Sequence, residues 1–423
     1  MRIWLVDHEL VRITPVILRI SIQATMVKKE MQSASPKRVA ILVDTSTTWG
    51  RDVIAGVHRY SREHGGWVLF VEPRGVEQRR WLPPEWKGDG VIARVGFLDL
   101  AKRLRRMKFP VVNVSGITLP RVKFPRVVSD QVAAADLAAE HLLARGFRHF
   151  AYFSLLGLEY VAEHQQAFQD ALRRAGHRCM VFAVQPHLGT EPDWNLDMKR
   201  LGKWLLELPK PLALFTWNSS SARESIYACM QTGLAVPEEV AVLSGSDDEL
   251  FCEVTPVPIS AVQLGCEQIG YRAAAELDEM MKSPGIPQPA EVLIPPQGVV
   301  ERRSTDTLAV SDAAMVKALR FIRENPARLM TVTDVARQAG LCRRALELRF
   351  QDLLGRSPAS EIRRVRLDHA IGLLQRTNLS VGMVAERSGF SSPEYMASVF
   401  RSQLATSPLH YRKQKDQGGR VEV

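Results

Sequence analysis

The chain has 423 residues, 46% hydrophobic and 24% charged, which supports two or three domains with real cores; no run of 18 uncharged apolar residues exists, so a membrane span is not expected. Its formal net charge of +10 is uneven: from Ser311 onward 19 Lys and Arg stand against 11 Asp and Glu, which puts +8 on the last 113 residues. A basic end on a near-neutral body is an electrostatic footprint for a polyanion, nucleic acid first. Five cysteines in an odd number, with no C-x-x-C pair, argue against a disulfide framework and fit reduced thiols in a cytoplasm.

In chain order, residues 1–36 read as a poorly structured leader. Its apolar run ITPVILRISI is interrupted by Arg19 and lacks a following small-residue cleavage site, which argues against a signal peptide. Met26 and Met31 lie just before the first regular run, and a start assigned too early accounts for the segment. From Arg38 apolar β-branched runs (RVAILVD, WVLFVEP, GVIARV, PVVNVSG, HFAYFS, LALFTWN, VAVLSGS) alternate with amphipathic helical stretches. That alternation predicts parallel sheets with helices on both faces, and its length of roughly 270 residues predicts two lobes.

In such sheets ligands bind outside the carboxyl ends of the strands. Several strands here end in polar or aromatic residues: Asp44 with Trp49 and Arg51 beyond it, Asp130 after RVVS, Asn218 after LFTW, and Asp247 after VLSGS. Carboxylates and amides exchange hydrogen bonds with hydroxyls and an indole lies against the apolar face of a sugar ring, so the mixture suits a small polyol. The competing reading is structural, because Asp and Asn also favour helix N-caps. No G-x-S-x-G elbow, G-x-x-x-x-G-K-S/T loop, H-E-x-x-H or clustered His/Cys spacing is present, so a hydrolase or sugar-modifying enzyme is the weaker alternative, and neither catalytic residues, cofactor nor metal are expected.

Toward the far end VTDVARQAGL and VGMVAERSGF follow one formula, V-x-x-V-A-x-x-x-G-apolar, with Gly340 and Gly389 49 residues apart. A helix-turn-helix needs a short first helix, a tight corner where glycine avoids a clash, and a second helix able to enter the major groove. Here Val335 and Ala336 pack inward and Gly340 turns the corner. The helix that follows puts Leu346, Phe350, Leu353 and Leu354 on one face and Arg343, Arg344 and Glu347 on or near the other. In the second copy Ser392 and Pro393 start the helix, Met396, Val399 and Phe400 turn inward, and Glu394, Ala397 and Ser398 turn outward. Between the copies SEIRRVRLDHAIGLLQRT reads as a long buried helix, with Arg363, Arg364 and Arg366 as candidates for phosphate contact.

Two resemblances follow from these residues. GDGVIAR, VVSDQVAAADLAAEHLLARGFRHFAYFS, ALFTWNSSSARESIYACMQTGLAVPEEVAVLSGSDDEL and SAVQLGCEQIGYRAAAEL, in order, resemble the effector domain of LacI/GalR repressors and hence periplasmic sugar-binding proteins. The resemblance implies a sugar clamped between two lobes, with Asp130, Asn218 and Asp247 on ligand-contacting positions. His164, in HQQAF, stands where that family usually has a sugar-binding arginine. The end of the chain, with GFSSPEYMASVFRSQLATSPLHYR, resembles the AraC/XylS family of transcription regulators. That resemblance implies base contacts from Arg343 and Arg344, phosphate contacts from Arg401 and Arg412, and a missing serine cap at Cys342. Leu348 stands at a site often held by a base-reading arginine.

The expected fold class is an α/β two-lobed periplasmic-binding-protein-like sensor domain (residues 37–304), a linker (305–311), an all-α domain with two helix-turn-helix motifs (312–412) and a tail (413–423). Regulators that join the two parts in this order imply a cytoplasmic homodimer acting on a double-stranded DNA operator and RNA polymerase, with D-xylose or a related aldose as effector. They also imply activation of catabolic genes.

Overall fold

The structure, a computed structural model, describes residues 36–72, 82, 86–185, 194–283, 291–307, 309 and 312–412. The expected tail, nearly all of the expected leader, and residues 308, 310 and 311 of the expected linker lie outside them. The chain forms two compact units: Met1–Ser129 with Gly265–Ile294, and Asp130–Leu264 with Pro295–Val423.

The first unit holds a six-stranded parallel sheet in the order β11-β5-β4-β3-β1-β2. Its strands are β1 (Arg38–Leu42), β2 (Val68–Val71), β3 (Gly90–Ala93), β4 (Val111–Asn113), β5 (Arg126–Ser129) and β11 (Glu291–Ile294). Its helices are α1 (Thr48–Glu63), α2 (Leu98–Arg106) and α8 (Cys266–Lys282). Central β1 and β3 are apolar at nearly every position because both faces are covered, as a parallel sheet requires. Val39, Ile41, Val53, Val57 and Leu277 pack on one face, and Ala40, Leu42, Leu100 and Leu104 on the other. Helices α1 and α8 meet backbone to backbone: a Cβ on Gly56 would lie 1.9 Å from the Glu267 carbonyl oxygen, and one on Gly270 2.0 Å from that of Val53. Buried Asp278 on α8 accepts from Lys37 Nζ (2.9 Å) and from the Tyr60 hydroxyl (3.0 Å), and pairs with Lys282 (2.7 Å).

In the second unit β6 (His149–Leu155), β7 (Cys179–Val184), β8 (Leu212–Thr216), β9 (Val240–Ser244), β10 (Ser260–Gln263) and β12 (Gly298–Val300) form a sheet in the order β12-β10-β9-β8-β6-β7. All neighbours are parallel except β10 and β12. One face is covered by α3 (Gln131–Ala144) and α4 (Glu159–Arg174), through Ala138, Leu142, Phe168 and Leu172. The other is covered by α5 (Trp194–Glu207) and α6 (Ser219–Thr232), through Leu201, Leu205, Ala222 and Ile226; the short α7 (Glu249–Val254) follows β9.

The described residues of that unit from Asp312 onward form six helices: α9 (Ala313–Glu324), α10 (Val332–Ala339), α11 (Arg343–Leu354), α12 (Pro358–Arg376), α13 (Val381–Arg387) and α14 (Pro393–Leu404). Two separate cores hold them. Met315, Leu319, Ile322, Val335, Ala336, Leu346, Phe350 and Ile362 form the first, and Leu367, Ala370, Leu374, Val384, Ala385, Met396 and Phe400 the second. The fold class is therefore the expected one: α/β sheets of periplasmic-binding type, then an all-α domain with two helix-turn-helix motifs. No disulfide joins any of the five cysteines, and among the described residues no helix is long and apolar enough to cross a membrane.

Candidate functional site

In the first unit Asp44 follows β1 and is fully buried. A carboxylate at such a site must be compensated. Arg94, at the end of the neighbouring β3, donates to it from Nη1 at 2.7 Å. The same guanidinium lies 5.5 Å from the centroid of the Trp49 ring, so Asp44, Arg94 and Trp49 form one cluster beyond the strand ends. Arg51 is exposed and donates to the Thr45 carbonyl (3.1 Å) and the Thr48 hydroxyl (3.0 Å). Arg94 was not among the sequence candidates, although it stands at a strand end as Asp44 does.

In the second unit Asp130 and Asn218 are the N-caps of α3 and α6: Asp130 Oδ1 accepts from Ala133 N–H and Asn218 Oδ1 from Ser221 N–H, each at 2.9 Å. Capping uses one oxygen of each side chain. Asp247 accepts both arms of the Arg302 fork (2.9 and 3.2 Å), while Arg302 Nε donates to Glu253 at 2.7 Å. Asp247 and Arg302 are 55 residues apart, and no local pattern announces the pair.

His164 on α4 is buried among Tyr152, Phe215 and Trp217. Its Nδ1 lies 2.6 Å from the Tyr152 hydroxyl, and its Nε2 has no hydrogen-bond partner among the described residues. Burial lowers its pKa to about 4, so the ring is neutral at pH 7. A neutral imidazole exchanges one hydrogen bond at Nε2 where a guanidinium would present a charged fork. Tyr152, Phe215 and Trp217 are the residues of this cluster that the sequence reading did not single out; an aromatic in or just after an apolar run was the only signal.

Among the described residues no group of three His, Cys, Asp or Glu is placed to hold a metal ion.

The helical domain presents two outward faces. On α11 Arg343 and Arg344 are exposed, and Arg343 Nε donates to Glu347 at 2.8 Å. Leu348 is 56% exposed on the same helix, and Cys342 provides no side-chain cap. Leu346 and Phe350 face the core as expected and Leu354 packs against it, while Leu353 is 39% exposed and does not join the apolar face assigned to it. On α14 Glu394, Ser398 and Arg401 are exposed and Ala397 is half-buried. The Glu394 carboxyl is held below its usual range by its own backbone N–H and then the Ser392 hydroxyl.

The arginines of the connecting helix divide. Arg363 is exposed and donates to the Ser360 hydroxyl (3.0 Å). Arg364 instead binds Glu361, Asp306 and Asp368, and Arg366 donates to the carbonyls of Arg328 and Met330, so both act as internal ties in place of the phosphate contacts expected of them. Arg412 donates to the carbonyls of Leu374 (3.4 Å), in the last turn of α12, and of Leu379 (2.7 Å), in the loop beyond it.

Three family models match the chain in succession: the XylR N-terminal domain over residues 38–136, a periplasmic binding protein-like domain over 139–305, and a helix-turn-helix domain over 335–414. The xylose operon regulatory protein of Escherichia coli is 29% identical over 383 residues, covering 89% of this chain and 96% of that protein. Its Haemophilus influenzae counterpart is 26% identical, covering 89% and 98%. The solved structure of the xylose-binding transcription activator xylR superposes with a TM-score of 0.74 at 28% identity, covering 90% of this chain and 98% of the other. With sensor and reader matched in the same order and over nearly their whole length, the chain belongs to the XylR-type transcription regulators, which set a periplasmic-binding-protein-like sensor ahead of an AraC-type helix-turn-helix domain.

Proposed function

We propose that the chain is a cytoplasmic, D-xylose- or related aldose-responsive activator of sugar-catabolic genes, working as a homodimer on operator DNA with RNA polymerase as its target. The observation that carries this reading is the matched pair of helix-turn-helix units, each with a left-handed glycine at its corner and polar residues on its outer face, joined to a sensor of the XylR type. The relatives named for xylose support the sugar class.

Asp44, Trp49 and Arg51 in the first unit, and Asp130, His164, Asn218 and Asp247 in the second, are the effector contacts of this proposal, joined by Arg94 and Tyr152. Each set combines hydrogen-bonding groups with aromatic surface, the chemistry a sugar's hydroxyls and apolar ring face require. At His164 a neutral imidazole favours a hydroxyl partner over an anion. On DNA, Arg343, Arg344 and Glu347 from α11 and Glu394, Ala397 and Ser398 from α14 face base edges, with Arg401 on phosphate. Arg412 keeps its place in the DNA-contacting set only through donors beyond the two it spends on carbonyls. The sugar acts by binding one arrangement of the sensor better than another, since equal affinity for both would shift nothing.

Isothermal titration of the purified protein with a panel of pentoses and hexoses, paired with footprinting on its promoter DNA, tests this reading. Binding of D-xylose or a close aldose is expected, with a change in operator affinity and protected tracts spaced by one helical turn of about 34 Å. No response to any aldose would overturn the effector assignment, and an unprotected operator would overturn the DNA reading.

A further inference from the structure

Between the second sheet and the helical domain lies a knot of charge that neither sugar nor DNA reading uses. Arg323, near the end of α9, has a side chain only 4% exposed. Its Nη1 donates to Glu238, 2% exposed in the turn before β9, and its Nη2 donates to the Asp306 carbonyl oxygen in the connection. The Arg323 Nη2 is also 3.9 Å from the carboxylate of Glu361, which is fully buried on α12. Glu361 in turn accepts from Arg364 Nε (3.1 Å) and Nη2 (2.7 Å), and Arg364 Nη1 donates to Asp306 Oδ2 at 2.6 Å. One turn earlier on α9, Arg320 Nη2 donates to the Gly233 carbonyl at the end of α6 (3.0 Å). Four segments (the turn before β9, the connection leading into α9, α9 itself and α12) thus share one set of ions.

Buried ion pairs are poor stabilisers, because the desolvation of each charge offsets most of the attraction and a well-packed apolar set of equal volume does as well. They do fix geometry: a guanidinium's planar fork satisfies its partners only in one orientation. We propose that Arg323 is the positioning residue that holds the DNA-reading domain in a single orientation on the second sheet of the sensor, and that the sensor's effector state reaches the readers through it. The signalling half of this inference rests on the effector reading above, while the positional half stands apart from it.

The test uses full-length protein. Spin labels at Gln231→Cys and Gln403→Cys, in a Cys179→Ser, Cys342→Ser background, report the distance from α6 to α14 by pulsed electron resonance. Arg323→Met should turn one narrow distribution into a broad one, and Arg323→Lys, which keeps the charge, should restore much of it. In parallel, the effect of D-xylose on affinity for a duplex selected by the wild type is measured; coupling of this kind commonly amounts to about 5–150-fold, and in Arg323→Met it should fall to about 1 with sugar binding retained. A narrow distribution in folded Arg323→Met, or an undiminished xylose response, overturns the proposal. If Arg323→Met does not fold, Glu238→Gln, which removes the sensor-side partner alone, carries the same two expectations. If the wild type ignores D-xylose and its relatives, the effector reading fails, and the distance distribution alone decides whether Arg323 holds the domain.

Discussion

In the first helix-turn-helix copy Thr331 opens α10 through a capping box with Asp334, whereas in the second Ser380 caps α13 with a single bond from Met383 N–H. The reading helices reverse this inequality. Cys342 leaves the start of α11 without a side-chain cap, while Ser392 accepts from Tyr395 N–H and Pro393 presets the first turn of α14. At the far ends α11 stops at Gly355 in the left-handed region (φ 66°), but α14 stops there at Ala405 (φ 51°). The interiors hardly differ: Val335 and Ala336 are 0% and 2% exposed, Val384 and Ala385 0% and 1%. The shared formula is thus a packing rule for the corner of the motif. Helix ends carry no such rule, and each copy places its stability differently.

The largest test of that contrast is at the two corner glycines. Both are left-handed, Gly340 at φ 69° and Gly389 at φ 71°. A Cβ at Gly340 meets nothing within 4 Å, whereas one at Gly389 would lie 2.3 Å from the Pro326 carbonyl oxygen. Gly340→Ala should therefore cost only the left-handed penalty, about 1–2 kcal/mol. Gly389→Ala adds a backbone collision and should cost roughly 3 kcal/mol or more. Hydrogen exchange of amides in each motif measures both locally, without assuming that the whole chain unfolds in one step. Equal losses would mean that the α9–α10 loop yields and the two corners are equivalent.

The next effect separates reading from anchoring. Arg344 is exposed on α11 and its side chain makes no hydrogen bond among the described residues, while Arg401 is exposed on the last turn of α14. Arg344→Ala should cost about 1–3 kcal/mol of operator affinity and relax the preference at one base pair. Arg401→Ala should weaken all sequences alike and reduce the salt dependence by about one counterion. Selection from random duplexes, with titrations at several salt concentrations, distinguishes them, and a uniform loss from Arg344→Ala would remove it from the base-reading set.

Smaller still is the strain at Ala405. Ala405→Gly relieves a left-handed alanine at an exposed helix end and should protect the last turn of α14 by about 1 kcal/mol, whereas Gly355→Ala should cost α11 a similar amount. Opposite signs at equivalent positions are the expected signature in exchange rates.

How far the sequence exposed all this depended on the range of the interactions. Period and punctuation are local, so all seven apolar runs singled out contain a strand and the helix-turn-helix corners fall where the formula put them. Strand β7, with the apolar run CMVFAV, was missed beside stronger signals. Strands β11 and β12 were missed because four and three residues carry little pattern and gain their place from partners such as β5 and β10, far away in the chain. Distance in sequence also hid the site: Arg94 meets Asp44 50 residues away, and Arg302 meets Asp247 at 55. Arg364 and Arg366 looked like surface charges because nothing on α12 discloses Asp306 or the carbonyls of Arg328 and Met330.

The uncapped start of α11 gives the finest probe of the comparison. Cys342 has extended backbone (φ −74°, ψ 156°), the conformation an N-cap requires, yet its side chain accepts nothing from the following turn. Ser392 has comparable extended geometry and does accept, at 3.1 Å from Tyr395 N–H. Cys342→Ser should therefore install in α11 the bond that α14 already has, since the hydroxyl oxygen is the stronger acceptor and needs no backbone change. The gain should be about 0.5–1 kcal/mol of local stability, seen as slower exchange at the amide of Ala345, the counterpart of Tyr395, and its neighbours. Ser392→Cys should take the same amount from α14. If both substitutions leave exchange unchanged, the caps are irrelevant to the readers, and the asymmetry between the copies lies in their corners.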